Sequence, residues 1–181
     1  MRLPEISKTV QVPDDVEVSL DGKKVVVKGA KGTLIRDFSF APIGIEGEGG
    51  NVRIWAKWPR KKEAALVGTI YSHINNMITG VTKGYSYKLK IVFSHFPISV
   101  KVQDKTVLIE NFTGERRARR VKTLGDVKIK IEPEDVIVEG INLEDVSQTA
   151  AKIEQATRVR RKDPRVFLDG IYVYERIEGL A

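Results

Sequence analysis

The chain says the same thing twice. Pro13-Asp-Asp-Val-Glu-Val18 is answered by Pro97-Ile-Ser-Val-Lys-Val102, and the alternating run Lys24-Val-Val-Val-Lys-Gly29 by Thr106-Val-Leu-Ile-Glu-Asn111. Both runs lead to a glycine, Gly32 and Gly114, and Asn51-Val-Arg-Ile-Trp55 then matches Asp135-Val-Ile-Val-Glu139. A helical pattern follows each, and after it a strand: Gly84-Tyr-Ser-Tyr-Lys-Leu-Lys-Ile91 in one copy, Gly170-Ile-Tyr-Val-Tyr-Glu-Arg-Ile177 in the other. The shift is 84 residues from Val16 to Val100 and 86 from Gly84 to Gly170. Offsets so nearly constant mean duplication with short loop insertions, so one small fold must account for both halves.

Each copy reads as several short strands with period-two alternation and β-branched residues, one helix, and a closing strand. Asp21-Gly22 marks a hairpin, because the type I′ turn needs positive φ at its central residues. In the second helix Asn142 is the expected cap, with Glu144 and Asp145 at the positive end of the dipole. Leu143, Val146, Ala150 and Ile153 share one face of it, and Leu66, Ile70, Ile74 and Met77 form the equivalent stripe from about Arg60 to Gly80. The fold class is therefore α+β: two tandem copies of a small domain, each an antiparallel-rich sheet packed with one α-helix. The first repeat spans 1–82, with its closing strand running on to about 93, and the second spans 83–181.

The chain carries 31 Lys and Arg against 24 Asp and Glu, a net charge of +7, which favours a polyanionic partner. Divided before Pro97, the first copy has 15 basic and 9 acidic residues and the second 16 and 15. Surplus alone points to the first copy, but segregation points to the second. There Glu132, Glu134, Asp135, Glu139, Glu144 and Asp145 make an acidic side. Arg158, Arg160, Arg161, Lys162 and Arg165 crowd the segment just after the helix, beside Pro164, Phe167 and Tyr172. Guanidinium forks suit phosphates and bases, and the aromatic rings offer stacking surface. A cation or two at a helix C-terminus would merely complement the dipole, and five within eight residues exceed that need.

A second basic cluster, Arg116, Arg117, Arg119, Arg120 and Lys122, falls on an expected strand or hairpin, where charge also serves to blunt an exposed edge. Lys57, Arg60, Lys61 and Lys62 surround Trp58 at the start of the first helix. Those cations lie at the wrong end of the dipole, which suits an external anion, although Trp58 could equally belong to a core.

Several function classes fall away. Without cysteine there is no disulfide, thiolate nucleophile or Cys-based zinc site. The two histidines, His73 and His95, lack metal-site spacing, and no phosphate-cradling loop of the G-x-x-x-x-G-K-[ST] kind occurs. No apolar run approaches the ~20 residues of a membrane span, and the N-terminus lacks a signal-peptide core. A soluble, cytoplasmic chain without cofactor, membrane or small-molecule substrate is expected, with RNA as partner.

Longer motifs then carry a resemblance. His95-Phe-Pro-Ile98, Ile109-Glu-Asn-Phe-Thr-Gly-Glu115, Arg119-Arg-Val121, Ala150-Ala-Lys-Ile-Glu-Gln-Ala-Thr157 and Lys162-Asp-Pro-Arg-Val-Phe-Leu-Asp-Gly-Ile-Tyr-Val173 resemble the L-six family of large-subunit ribosomal proteins, in its archaeal and eukaryotic branch. The resemblance covers nearly the whole chain, and an end at Ala181 is similar to archaeal rather than to the longer eukaryotic members. It implies a non-enzymatic structural component that binds large-subunit rRNA near the sarcin–ricin loop, beside the stalk base where translational GTPases dock, with ribosomal proteins as neighbours. It further implies that the second domain makes the principal rRNA contacts through the loop after its helix, so through Arg158, Arg160, Arg161, Lys162 and Arg165, supported by Phe167 and Tyr172, with Asp169-Gly170 shaping the turn into the last strand. Bacterial members have a Lys/Gly-rich loop there, so their contacts do not carry over to Asp163 or Pro164. The alternatives are a free RNA-binding module or assembly factor of the same fold, and an RNA-acting enzyme.

Overall fold

A computed structural model describes residues 4–48, 50–160, 162, 163 and 165–180. The chain divides into two units, 1–83 and 84–181, each with its own buried core.

In the first unit, β1 (Glu5–Val10), β2 (Glu17–Asp21), β3 (Lys24–Gly29), β4 (Gly32–Asp37), β5 (Gly44–Glu48) and β6 (Asn51–Lys57) precede α1 (Lys61–Thr82). They form two antiparallel sheets, β1-β6-β5 and β2-β3-β4. Alternation explains them. Val25 and Val27 of β3 and Val52, Ile54 and Ala56 of β6 face inward, and helix α1 covers them with Val67, Ile70, Ile74, Met77, Ile78 and Val81. The β2–β3 hairpin differs in one detail from the expected turn. Asp21 pairs Lys24, leaving Gly22-Lys23 as the loop, and only Gly22 takes positive φ, at 60°. Glycine at the first central position alone belongs to the type II′ turn, whose twist also suits a hairpin.

The second unit contains β7 (Tyr85–Val92), β8 (Ser99–Gln103), β9 (Thr106–Glu110), a 3₁₀ turn at Phe112–Gly114, β10 (Arg119–Lys122), β11 (Lys128–Ile131), β12 (Asp135–Gly140), α2 (Leu143–Ala156) and β13 (Gly170–Glu178). Its sheets run β10-β9-β8 and β11-β12-β7-β13. The small sheet copies β2-β3-β4 of the first unit, down to the two-residue hairpin Asp104-Lys105, where Asp104 takes φ 52°. Helix α2 begins at the expected cap, with Asn142 accepting from the Glu144 N–H at 3.2 Å, and it buries Val146, Ala150 and Ile153.

One expectation is overturned. The strand at 85–92, taken as the close of the first repeat, pairs with β12 on one side and β13 on the other, within the second unit. The physical reason is pairing: the place beside β6 is already taken by β1, while strand 85–92 has both of its edges matched within the second unit, by β12 and by β13. The two segments that look like repeat equivalents, 84–91 and 170–177, are instead antiparallel neighbours, with Gly170 opposite Val92 and Glu178 opposite Tyr85. Strand β1, outside the visible repeat, fills in the first unit the place that β7 fills in the second. The charge contrast changes with the boundary. Residues 1–83 hold 13 basic and 9 acidic residues (+4), and 84–181 hold 18 and 15 (+3).

A candidate nucleic-acid interface

Helix α2 ends on Thr157, a side chain only 1% exposed. Its hydroxyl bonds back to the carbonyls of Ile153 (3.4 Å) and Glu154 (3.1 Å) and accepts the backbone N–H of Ile171 at 2.9 Å. One threonine thus closes the helix and fastens it to β13. Between these two points the chain makes an excursion, 158–169, which carries the basic run.

The far end of that excursion is held by Asp169, also 1% exposed. Its carboxylate accepts from the Ser94 N–H (2.9 Å), the His95 N–H (3.2 Å) and His95 Nδ1 (3.0 Å). Burial would raise this carboxyl, but the Ser94 N–H, the His95 ring and the His95 N–H together outweigh it and hold the pKa at about 2. The expectation that Asp169-Gly170 shapes a turn is corrected in its mechanism. Asp169 is an anchor reaching back to the segment after β7, and Gly170 has no positive φ. Gly170 instead lets the Tyr172 ring lie close, since a Cβ there would be 2.8 Å from the hydroxyl end of that ring, which would have to move. Ser94, His95 and Asp169 do not form a catalytic relay. The hydroxyl and the carboxylate both meet the same nitrogen, Nδ1, whereas a relay needs opposite ring nitrogens.

His95 also stacks on Phe167, with ring centroids 4.6 Å apart, and Lys162 Nζ lies 4.4 Å from the same ring. Phe167 therefore serves as a strut that fixes the loop more than as an open stacking surface. Asp163 organises the tip: its carbonyl accepts from Val166 and Phe167 N–H groups, and its carboxylate from the Arg165 N–H (3.0 Å) and Nε (3.3 Å). These bonds from Arg165 draw the Asp163 pKa down. Arg158, Arg160, Lys162 and Arg165 are all exposed, whereas Arg161 and Pro164 lie outside the described residues. Tyr172 is 42% exposed, and its hydroxyl donates to the Leu168 carbonyl at 3.2 Å.

The second cluster divides. Arg116 and Arg117 precede β10 and are exposed, as are Arg120 and Lys122 on its outward side. Arg119 is turned inward. It forks onto Glu115, covers the Phe112 ring at 4.2 Å, and donates to the Ala156 carbonyl, one of the open carbonyls at the end of α2. Its donors are committed within the unit, so it positions rather than binds. That contact, between residues 37 apart in the chain, brings the start of β10 to the end of α2. In the first unit Lys57, Arg60, Lys61 and Lys62 are exposed, and Trp58 is no core residue, being 66% exposed at φ 47°. Glu63 accepts the Arg60 N–H at 2.6 Å and supplies the negative charge this helix start wants.

Sequence reasoning missed a groove. Glu154 and Gln155 in the last turn of α2, Arg158 and Lys162 beyond it, and the Phe167 and Tyr172 rings line a cavity of about 570 Å³. Glu154 and Arg158 stand four apart, which was a legible signal, but only the return of β13 places Tyr172 opposite them. Among the described residues there is no group of His, Asp and Glu arranged to hold a metal.

Comparison with known proteins decides the family. The pattern described as Ribosomal protein L6 matches residues 12–84 and again 96–170, once in each unit. The chain belongs to the ribosomal protein L6 family. It is 50% identical over 182 residues to the large ribosomal subunit protein uL6 of Desulfurococcus amylolyticus, covering 99% of both chains. It is 52% identical to the uL6 of Ignicoccus hospitalis, over 92% of each, and 46% identical to that of Methanosarcina mazei, over 95% of this chain and 98% of the relative. The L6 family is one of ribosomal proteins rather than enzymes, and its double pattern agrees with the two α+β units. No helix among the described residues is long and apolar enough to cross a membrane.

Proposed function

We propose that this chain is a structural component of the large ribosomal subunit, in the cytoplasm, held on large-subunit rRNA near the sarcin–ricin loop and stalk base by its second unit. What supports this most is one arrangement. The excursion after α2 is clamped at Thr157 and Asp169, yet presents Arg158, Arg160, Lys162 and Arg165 to solvent. A pre-ordered set of cations loses little entropy on meeting phosphates, and phosphate contacts set register on an RNA whose shape supplies specificity. Arg116, Arg117, Arg120 and Lys122 are further exposed cations of the same unit, and neighbouring ribosomal proteins and translational GTPases lie nearby in this reading.

Sedimentation tests it. The chain should co-migrate in one copy with large subunits through a high-salt wash, and chemical probing should show protection at the sarcin–ricin loop. Recovery only among free proteins would overturn the reading and favour an unbound RNA-binding module.

A further inference from the structure

The groove at the end of α2 has a composition that phosphate binding does not require. Two cations, Arg158 and Lys162, suffice for an anionic backbone, yet Glu154 and Gln155 stand on the same wall. Among the described residues no hydrogen bond or ion pair engages the side chains of Glu154, Gln155 or Arg158. A carboxylate facing RNA weakens general phosphate attraction, and it suits such a wall if it meets a donor on the ligand. At neutral pH a carboxylate only accepts hydrogen bonds. Guanine alone has two adjacent donors on its Watson–Crick edge, the N1–H and the N2 amino group, and a carboxylate can take both at once.

The volume fits. A cavity of about 570 Å³ falls within the roughly 300–1,000 Å³ of clefts that take small ligands. The Tyr172 ring, lying against Gly170, gives a flat aromatic wall, and the Phe167 strut holds Lys162 over its ring. Proteins read RNA sequence chiefly where bases are unstacked and can be stacked on aromatic rings and paired along that edge.

We propose that this groove takes a single guanosine nucleotide extruded from an RNA strand. Glu154 accepts from the base edge, Gln155 adds a polar contact, Tyr172 stacks, and Arg158 with Lys162 holds the flanking phosphate. The inference rests on the rRNA reading above and specifies what one part of that surface recognises.

The test uses the full chain and synthetic RNA hairpins that differ only in one bulged nucleotide, G, A, C or U, with binding followed by fluorescence anisotropy at several salt concentrations. The bulged-G hairpin should bind about tenfold more tightly than the other three. Glu154→Ala should abolish that preference while leaving the thermal unfolding curve and the salt slope in place. Arg158→Ala should weaken all four hairpins alike and lower the salt slope by about one contact. Equal binding of all four bulges, or a preference that survives Glu154→Ala, would overturn the proposal. Free guanosine monophosphate competing as well as the hairpin would overturn the assignment to an RNA strand. A chain that still co-sediments with large subunits but shows no bulge preference refutes the groove alone. One that binds no RNA refutes the wider function.

Discussion

The two units start from one plan and part most plainly at the end of the helix. Helices α1 and α2 both finish on a threonine, Thr82 and Thr157, whose hydroxyl bonds to carbonyls three and four residues back. After Thr82 come Lys83 and Gly84, which at φ 80° turns the chain straight into β7. After Thr157 the chain instead runs through 158–169 before returning as β13, the extra strand of the second sheet. Net charge hardly separates the units at +4 and +3. What separates them is that one helix end is used up in a turn, while the other supports a clamped basic loop. Local arrangement of charge, not surplus, distinguishes the surface proposed to bind RNA.

The largest effect should come from emptying that loop. Replacing Arg158, Arg160, Lys162 and Arg165 by alanine should lower affinity for a large-subunit rRNA fragment on the order of 100-fold at 0.15 M salt and flatten the log–log salt slope. The matching change in the first unit, Lys57, Arg60, Lys61 and Lys62 to alanine, should cost far less. Equal losses in a filter-binding titration would break the comparison.

Next in size is the anchor. Asp169→Asn should destabilise the fold by about 1–3 kcal/mol at neutral pH. Oδ1 can still accept from the Ser94 and His95 N–H groups, but the negative charge is lost and an amide donor replaces Oδ2 against His95 Nδ1. The wild-type carboxyl titrates at about 2 in the fold, against an ordinary 3.8. The unfolded chain therefore binds more protons between those values. The stability this group contributes is complete above the ordinary value and disappears as pH falls through the folded one. Urea unfolding between pH 2 and 6 should show that acid limb, and Asp169→Asn should remove its share. An unchanged limb in the variant would mean that the clamp contributes nothing.

The two helix-ending threonines sharpen the comparison further. Thr157→Val strands the Ile171 N–H in a buried place and should cost about 1–2 kcal/mol, whereas Thr82→Val loses only bonds back into its own helix and should cost under about 0.5 kcal/mol. Equal shifts in the unfolding midpoint would show that Thr157 does not tie α2 to β13. Smallest is the hairpin. Gly22→Ala places a Cβ in open space but at positive φ, so a loss of about 1 kcal/mol would be purely conformational.

Much was legible without coordinates. Period-two runs such as Lys24–Gly29 and the stripe Val146, Ala150 and Ile153 specify their faces locally, because burial selects one side of a strand or helix. The basic run likewise announces itself, since charge clustering is a property of neighbours in the chain. Strand partners are different. Whether 85–92 closes one sheet or opens another depends on which edges are already occupied, and no local pattern records that.

The same division holds at the site. The sequence by itself determined the duplicated α+β plan, both helices, and the run of cations that most needs a polyanion. Only the tertiary structure decided which cations are available. It turned Arg119 inward onto Glu115 and Ala156, held the loop at Asp169 through Ser94 and His95 some 75 residues away, and set Tyr172 across from Glu154. The physical reason is that a fork of donors or a buried carboxylate takes whatever partner folding brings within about 3 Å, and that partner is chosen by packing rather than by position in the chain.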